Sequence, residues 1–129
     1  MDKLIIEKTK QTPAISFDPD SGIFNMSGRS IPENTFDYYK PILTWLDGYL
    51  KNPQDKTIVK VHLEYFNTSS SKFILELFKK LTPINDDMDN KEVLIEWYYD
   101  EDDEEMMETG EDYMEVSGLT FELIEVEEE

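Results

Sequence analysis

The chain has 129 residues, and 12 Lys and Arg stand against 30 Asp and Glu, for a formal net charge of −18. That length fits one domain around one core. The charge argues against nucleic acid and against an anionic membrane surface as partners, since both are bound through basic surfaces that replace counterions. There is no cysteine, hence no disulfide, thiol nucleophile or thiolate metal site, and the acidity serves solubility or steers in a basic protein surface.

In chain order, Leu4 to Glu7 is a short apolar run suited to an opening strand, too short for a signal peptide. No stretch has the length of a membrane span, so the sequence reads as cytoplasmic. Residues 14 to 28 read as a β-hairpin: Ala14–Phe17 and Ile23–Gly28 alternate around the turn Asp18-Pro19-Asp20-Ser21-Gly22.

Ser30-Ile31-Pro32-Glu33 matches a capping box and predicts a helix start, with Phe36, Tyr39, Ile42, Leu43, Leu46, Tyr49 and Leu50 on one face. Pro41 should bend or reset that helix, and Asn52-Pro53 should close it.

Thr57 to Tyr65 alternates, with Thr57, Val59, Val61, Leu63 and Tyr65 on one side and Ile58, Lys60, His62 and Glu64 on the other. A second helix follows on the stripe Phe73, Ile74, Leu77, Phe78, Leu81, with its end predicted at Thr82-Pro83. Glu92 to Tyr99 is the next strand. The acidic tract Asp100 to Asp112, with Met106, Met107, Tyr113 and Met114, predicts a third helix whose apolar edge touches the core, weakened by Gly110. Leu119 to Val126 is a last strand, and residues 127–129 form a frayed acidic tail.

The order is hairpin, helix, strand, helix, strand, helix, strand. It predicts a single α/β domain over residues 1–129. Its sheet is mixed and mostly parallel, of about five to six strands, with about three helices packed on it.

Catalytic chemistry is sparse. His62 is the lone histidine and lies mid-strand, where a structural or surface role is the ordinary one, and the five glycines form no phosphate loop. The run Asp100 to Glu105 offers oxygen ligands to a divalent cation but lacks EF-hand spacing, so a solvated acidic face is the simpler reading.

The remaining feature is the row Asn67-Thr68-Ser69-Ser70-Ser71, followed by Lys72, on a strand-to-helix turn. One such residue suffices to cap a helix, and the plain reading is a hydroxyl-rich cap worth about 0.5–2 kcal/mol. The other reading makes one hydroxyl a phosphorylation site, because a helix N-terminus stabilises an anion. Residue types alone leave both open.

The segments Ser27–Glu33, Glu64–Lys72 and Trp97–Asp112 resemble the SiaC family of bacterial regulatory phosphoproteins. The resemblance spans nearly the whole chain, and Tyr-Phe-Asn-Thr-Ser-Ser in its strand-to-helix setting is its most specific part. It implies a STAS-like α/β fold, similar to anti-sigma factor antagonists, and a non-enzymatic partner-switching role. A protein kinase would phosphorylate a threonine, a PP2C-type phosphatase would remove the phosphate, and the unmodified form would bind an effector such as a diguanylate cyclase, in cyclic-di-GMP and biofilm control. The threonine in question is Thr68, with Asn67, Ser69, Ser70, Ser71, Lys72 and Arg29 as its surroundings and the docking surface; no cofactor or metal is implied. An acidic divalent-cation-binding protein and an unmodified interaction module are the alternatives.

Overall fold

The structure, a computed structural model, is described for residues 1–127. The chain runs β1 (Leu4–Ile6), β2 (Ala14–Asp18), β3 (Ile23–Ser30), α1 (Thr35–Tyr49), β4 (Lys56–Phe66), α2 (Thr68–Asp87), β5 (Glu92–Asp100), α3 (Glu104–Ser117) and β6 (Thr120–Val126). One six-stranded sheet takes the strands in sequence order. β1, β2 and β3 pair antiparallel, and β3 to β6 pair parallel. This is the expected mixed, mostly parallel α/β sheet with an antiparallel N-terminal portion. Of the expected acidic tail, Glu127 follows β6 without regular structure and 128–129 lie outside the described residues. Among the described residues no helix is long and apolar enough to cross a membrane.

Right-handed crossovers that always step to the next strand place all three helices on one face of the sheet. The burial pattern agrees. Thr57, Val59, Val61 and Leu63 of β4 and Val93, Ile95 and Trp97 of β5 are buried under the helices. Their alternates carry an open polar face, where Lys60 Nζ lies 3.9 Å from Glu96 and His62 Nε2 3.3 Å from Asp100. His62 is thus a surface group on the face away from the helices.

Two aromatic clusters fill the core. Phe17 and Phe24 stack at 4.8 Å beneath Trp45 and Tyr49 of α1. Phe78, Trp97, Tyr113 and Phe121 join α2, β5, α3 and β6, with the Trp97 and Tyr113 rings 5.4 Å apart. Such pairs add about 0.5–1.5 kcal/mol beyond the area they bury.

Several expectations are corrected. The capping box at Ser30 is not used: β3 runs on to Ser30, which pairs with Phe66, and α1 begins at Thr35 with Asn34 as its cap, accepting from the Asp37 N–H at 3.1 Å. A long-range ladder outcompetes the local cap. α1 is continuous through Pro41, and α2 continues through Pro83 to Asp87. In that last stretch the Thr82 hydroxyl donates to the Phe78 carbonyl at 3.3 Å and the Ser117 carbonyl at 3.1 Å, and Ile84 stays buried against the core.

The register of β3 on β4 shifts after Gly28, so Arg29 meets Tyr65 and Glu64 is passed over. The alternation of β4 ends there and Tyr65 turns outward, 52% exposed. Phe36 and Met114 also face solvent rather than core.

Candidate functional site

The turn between β4 and α2 lies at the C-terminal edge of the parallel strands, the edge where open α/β sheets carry their ligands. Asn67 is the cap: extended backbone at φ −83°, ψ 173° lets its side-chain oxygen accept from the Ser70 N–H at 2.9 Å. Its own N–H donates to the Ser30 carbonyl at 3.1 Å, which fastens the turn to the end of β3.

The hydroxyls of the row then divide by direction. Ser70 points inward, fully buried, and donates to the Ser30 carbonyl at 3.0 Å. It accepts from the Ser30 hydroxyl at 2.9 Å, so the Tyr39 hydroxyl, 2.6 Å from Ser30 Oγ, must be the donor to Ser30. This relay gives each of the three hydroxyls beneath the turn, of Tyr39, Ser30 and Ser70, a hydrogen-bond partner. Burial raises the Tyr39 pKa, against a smaller lowering by Ser30 and Ser70.

Ser69 is exposed and donates to Asn67 Oδ1 at 3.2 Å, which leaves Thr35 as the donor in the 2.8 Å contact between Thr35 Oγ1 and Ser69 Oγ. Ser71 donates back to the Thr68 carbonyl at 2.6 Å, and its own carbonyl accepts from the Tyr113 hydroxyl at 3.0 Å. Burial pushes the Tyr113 phenol well above its ordinary pKa.

Thr68 is different. It is the first helical residue of α2, its side chain is exposed, and its hydroxyl makes no hydrogen bond among the described residues. The first N–H groups of a helix lack intrahelical acceptors, so an anion there meets free donors and the positive end of the helix dipole.

Lys72 is exposed on the next turn of α2. Arg29 is exposed at the end of β3, opposite Tyr65 in register, on the alternate side from buried Gly28 and Ser30; it forms no ion pair among the described residues.

The acidic tract is largely the start of α3. Asp103 caps it, accepting from the Met106 N–H at 3.1 Å, and Glu104 and Glu105 occupy its first turn, where the dipole favours them. Among the described residues no three metal-ligating side chains are placed to hold an ion.

Phe36, like Tyr65 and Met114, lies outside the core face on which sequence reasoning places it, and of the three it is the one on α1 next to the turn. Its helical spacing with Tyr39 and Leu43 put it on the core face. In the fold it is 55% exposed beside the turn, its ring 6.4 Å from that of Phe73. Its position two residues after the true cap, Asn34, within the first turn of α1, is the signal that could have shown it at the helix mouth.

Among the described residues the site is thus a hydroxyl at a helix start that no other group engages, on a helix-covered sheet whose lone histidine lies on the opposite face. The chain belongs to the SiaC family, described as SiaC family regulatory phosphoproteins, whose profile matches residues 6–126. An uncharacterised protein of Pseudomonas aeruginosa (strain UCBPP-PA14) is 30% identical over 121 residues, covering 94% of each chain. Crystalline apo-SiaC from Pseudomonas aeruginosa superposes with a TM-score of 0.84 at 28% identity, over 96% of this chain and 99% of that one. The SiaC that activates the diguanylate cyclase SiaD of Pseudomonas aeruginosa, solved in complex with it, superposes with a TM-score of 0.86 at 28% identity, over 95% and 99% of the two chains.

Proposed function

We propose that this chain is a phosphorylation-controlled activator. Unmodified, it binds and regulates a diguanylate cyclase of the SiaD kind; phosphorylated on Thr68 by a protein kinase, it lets go, and a PP2C-type phosphatase restores it. The observation that carries the reading is the Thr68 hydroxyl, exposed at the first position of α2 with no partner among the described residues, beside three serines whose hydroxyls are engaged. The bound state of the related SiaC with its cyclase supports the effector class.

The chemistry asks little of the fold. In the kinase, Thr68 Oγ1 gives up its proton and takes a phosphoryl group from a nucleoside triphosphate; in the phosphatase, water takes it back as inorganic phosphate. The ester adds about −1.5 to −2 charges and three acceptor oxygens. On a chain already at −18 the effect is local, since distant charges are screened over about 8–10 Å at physiological salt.

The test uses Thr68→Ala and Thr68→Asp with purified SiaD-type cyclase. The alanine variant should gain no mass on incubation with the cognate kinase and should bind regardless of it. The aspartate variant should stay folded and bind weakly. Wild-type affinity in both, with kinase-dependent mass gain persisting in the alanine variant, would place the switch elsewhere.

A further inference from the structure

Parallel strands are ordinarily covered on both faces, yet among the described residues β3 to β6 have helices on one face only. The open face carries a cup of about 210 Å³, lined by Asn25, Met26, Ser27, Lys60, His62 and Tyr98. Strand register builds it. Asn25 pairs with Lys60 and Ser27 with His62 across β3 and β4, so these four side chains mark the corners of a rectangle. The Tyr98 ring, on β5, stands 6.0 Å from that of His62.

In a chain with 30 acidic side chains against 12 basic ones, this lining holds two basic side chains and no carboxylate. The groove beside Tyr65 is the contrast, with Glu64, Asp103 and Glu105 among its lining. At the cup the carboxylates stand behind the lining. Glu96 accepts from the Tyr98 hydroxyl at 2.8 Å, and Asp100 Oδ1 lies 3.3 Å from His62 Nε2. An ionised carboxylate only accepts, so Nε2 is the donor in that contact. Both rings are thereby held in place as one wall.

The other wall has donors to spare. Lys60 Nζ is 3.9 Å from Glu96, too far for a hydrogen bond, and keeps its three N–H groups. The Asn25 amide and the Ser27 hydroxyl are exposed, two residues apart, and make no side-chain hydrogen bond among the described residues.

We propose that this cup binds a small oxyanion with a planar body, a carboxylate or a phosphate ester on a single ring. Lys60, Asn25 and Ser27 hold the anionic oxygens through hydrogen bonds to a charged acceptor, and the ring lies against His62 and Tyr98. The volume bounds the ligand, because it falls below the roughly 300–1,000 Å³ of drug-sized pockets. A one-ring ligand fits and a dinucleotide does not. The formal charge of −18 repels an anion at long range, but physiological salt screens that repulsion over about 8–10 Å and leaves the local donors to decide. Neither Thr68 nor an effector enters into this site.

The experiment titrates the isotope-labelled, unmodified full chain with phenyl phosphate and with benzoate at physiological salt, follows the amide resonances, and adds a thermal melt for each variant. Saturable shifts should centre on Asn25, Ser27, Lys60, His62 and Tyr98, with a Kd of about 1 mM or tighter. Saturation by phenyl phosphate alone supports a phosphate ester as the ligand, by benzoate alone a carboxylate, and by both a site for either oxyanion. Lys60→Gln should weaken binding by about tenfold or more, and Asn25→Ala by at least about threefold, since each removes a donor to a charged group. Lys56→Gln, which takes a lysine from the same strand outside the cup, should bind as wild type. Saturation by neither probe below about 10 mM overturns the proposal. So do shifts spread over the other lysines, wild-type affinity in Lys60→Gln or Asn25→Ala, or equal weakening by Lys56→Gln, which would mean bulk charge and no site.

Discussion

Ser70 and Ser30 are 40 residues apart in sequence and joined by two hydrogen bonds, hydroxyl to hydroxyl at 2.9 Å and hydroxyl to carbonyl at 3.0 Å. The pair holds the start of α2 on the end of β3, so the exposed Thr68 hydroxyl projects from a rigid base. Ser70 therefore serves position and not phosphate acceptance.

Ser70→Ala should leave the Ser30 hydroxyl without its acceptor in a sealed site. The expected cost is about 1–3 kcal/mol, the range for a buried polar group that loses its partner. For a domain of this size that is a fall in Tm of roughly 3–15 °C. Kinase-dependent mass gain at Thr68 should persist below the melting transition. Loss of the mass gain in a well-folded Ser70→Ala protein would make Ser70 the acceptor instead.

Much of this fold was legible because apolar spacing is a local signal. The strands and helices from Leu4 to Val126 follow periods of two and of 3.6. The hydroxyl row stood out for a similar reason, since it exceeds what one cap requires. Non-local competition was illegible. Ser30 satisfies a capping-box pattern, yet a strand pairing with Phe66 and a bond to Ser70 claim it. Pro83 reads as a stop, but burial of Ile84 holds the helix past it. Phe36 keeps core spacing and yet lies outside, because period fixes the face of a helix and not the depth at which the core ends along it.

Gly110 lowers the helix propensity of α3, and its surroundings explain why a glycine stands there. A Cβ there would lie 2.6 Å from Trp97 Cδ1, 2.8 Å from Trp97 Nε1 and 2.9 Å from Leu123 Cδ2. The close approach also lets the indole N–H donate to the Met106 carbonyl at 2.9 Å. Gly110→Ala gains about 1 kcal/mol in helix propensity but loses about 1–3 kcal/mol to overpacking. The net expectation is a lower Tm with altered Trp97 fluorescence. A higher Tm would show that α3 shifts outward at no cost.

Three phenols should respond to alkali only through unfolding. Burial raises the pKa of Tyr38, Tyr39 and Tyr113 above the ordinary value of about 10. A raised pKa in the folded state means that the folded protein holds these protons more tightly. Their contribution is fully present below the unfolded value and is lost as pH climbs past it. Stability should therefore fall above about pH 10, and phenolate absorbance from these three should appear together with the loss of near-ultraviolet dichroism. Their ionisation at pH 10 with the fold intact would contradict the burial.

Asn67 separates the role of the cap from that of the charge. Its side chain accepts from the Ser70 N–H and from the Ser69 hydroxyl, at 2.9 and 3.2 Å. Asn67→Ala removes both acceptors and should cost about 1 kcal/mol, or roughly 3–5 °C in Tm. Asn67→Asp keeps both acceptors and places a carboxylate where the helix dipole stabilises it, so its Tm should equal or exceed that of wild type. The same carboxylate puts permanent negative charge next to Thr68. If local charge releases the effector, Asn67→Asp should bind the cyclase less tightly than wild type although it is the better-folded variant, and Asn67→Ala should bind normally below its melting transition. Binding that instead follows Tm across the two variants would mean that order in the first turn of α2, and not charge, controls docking.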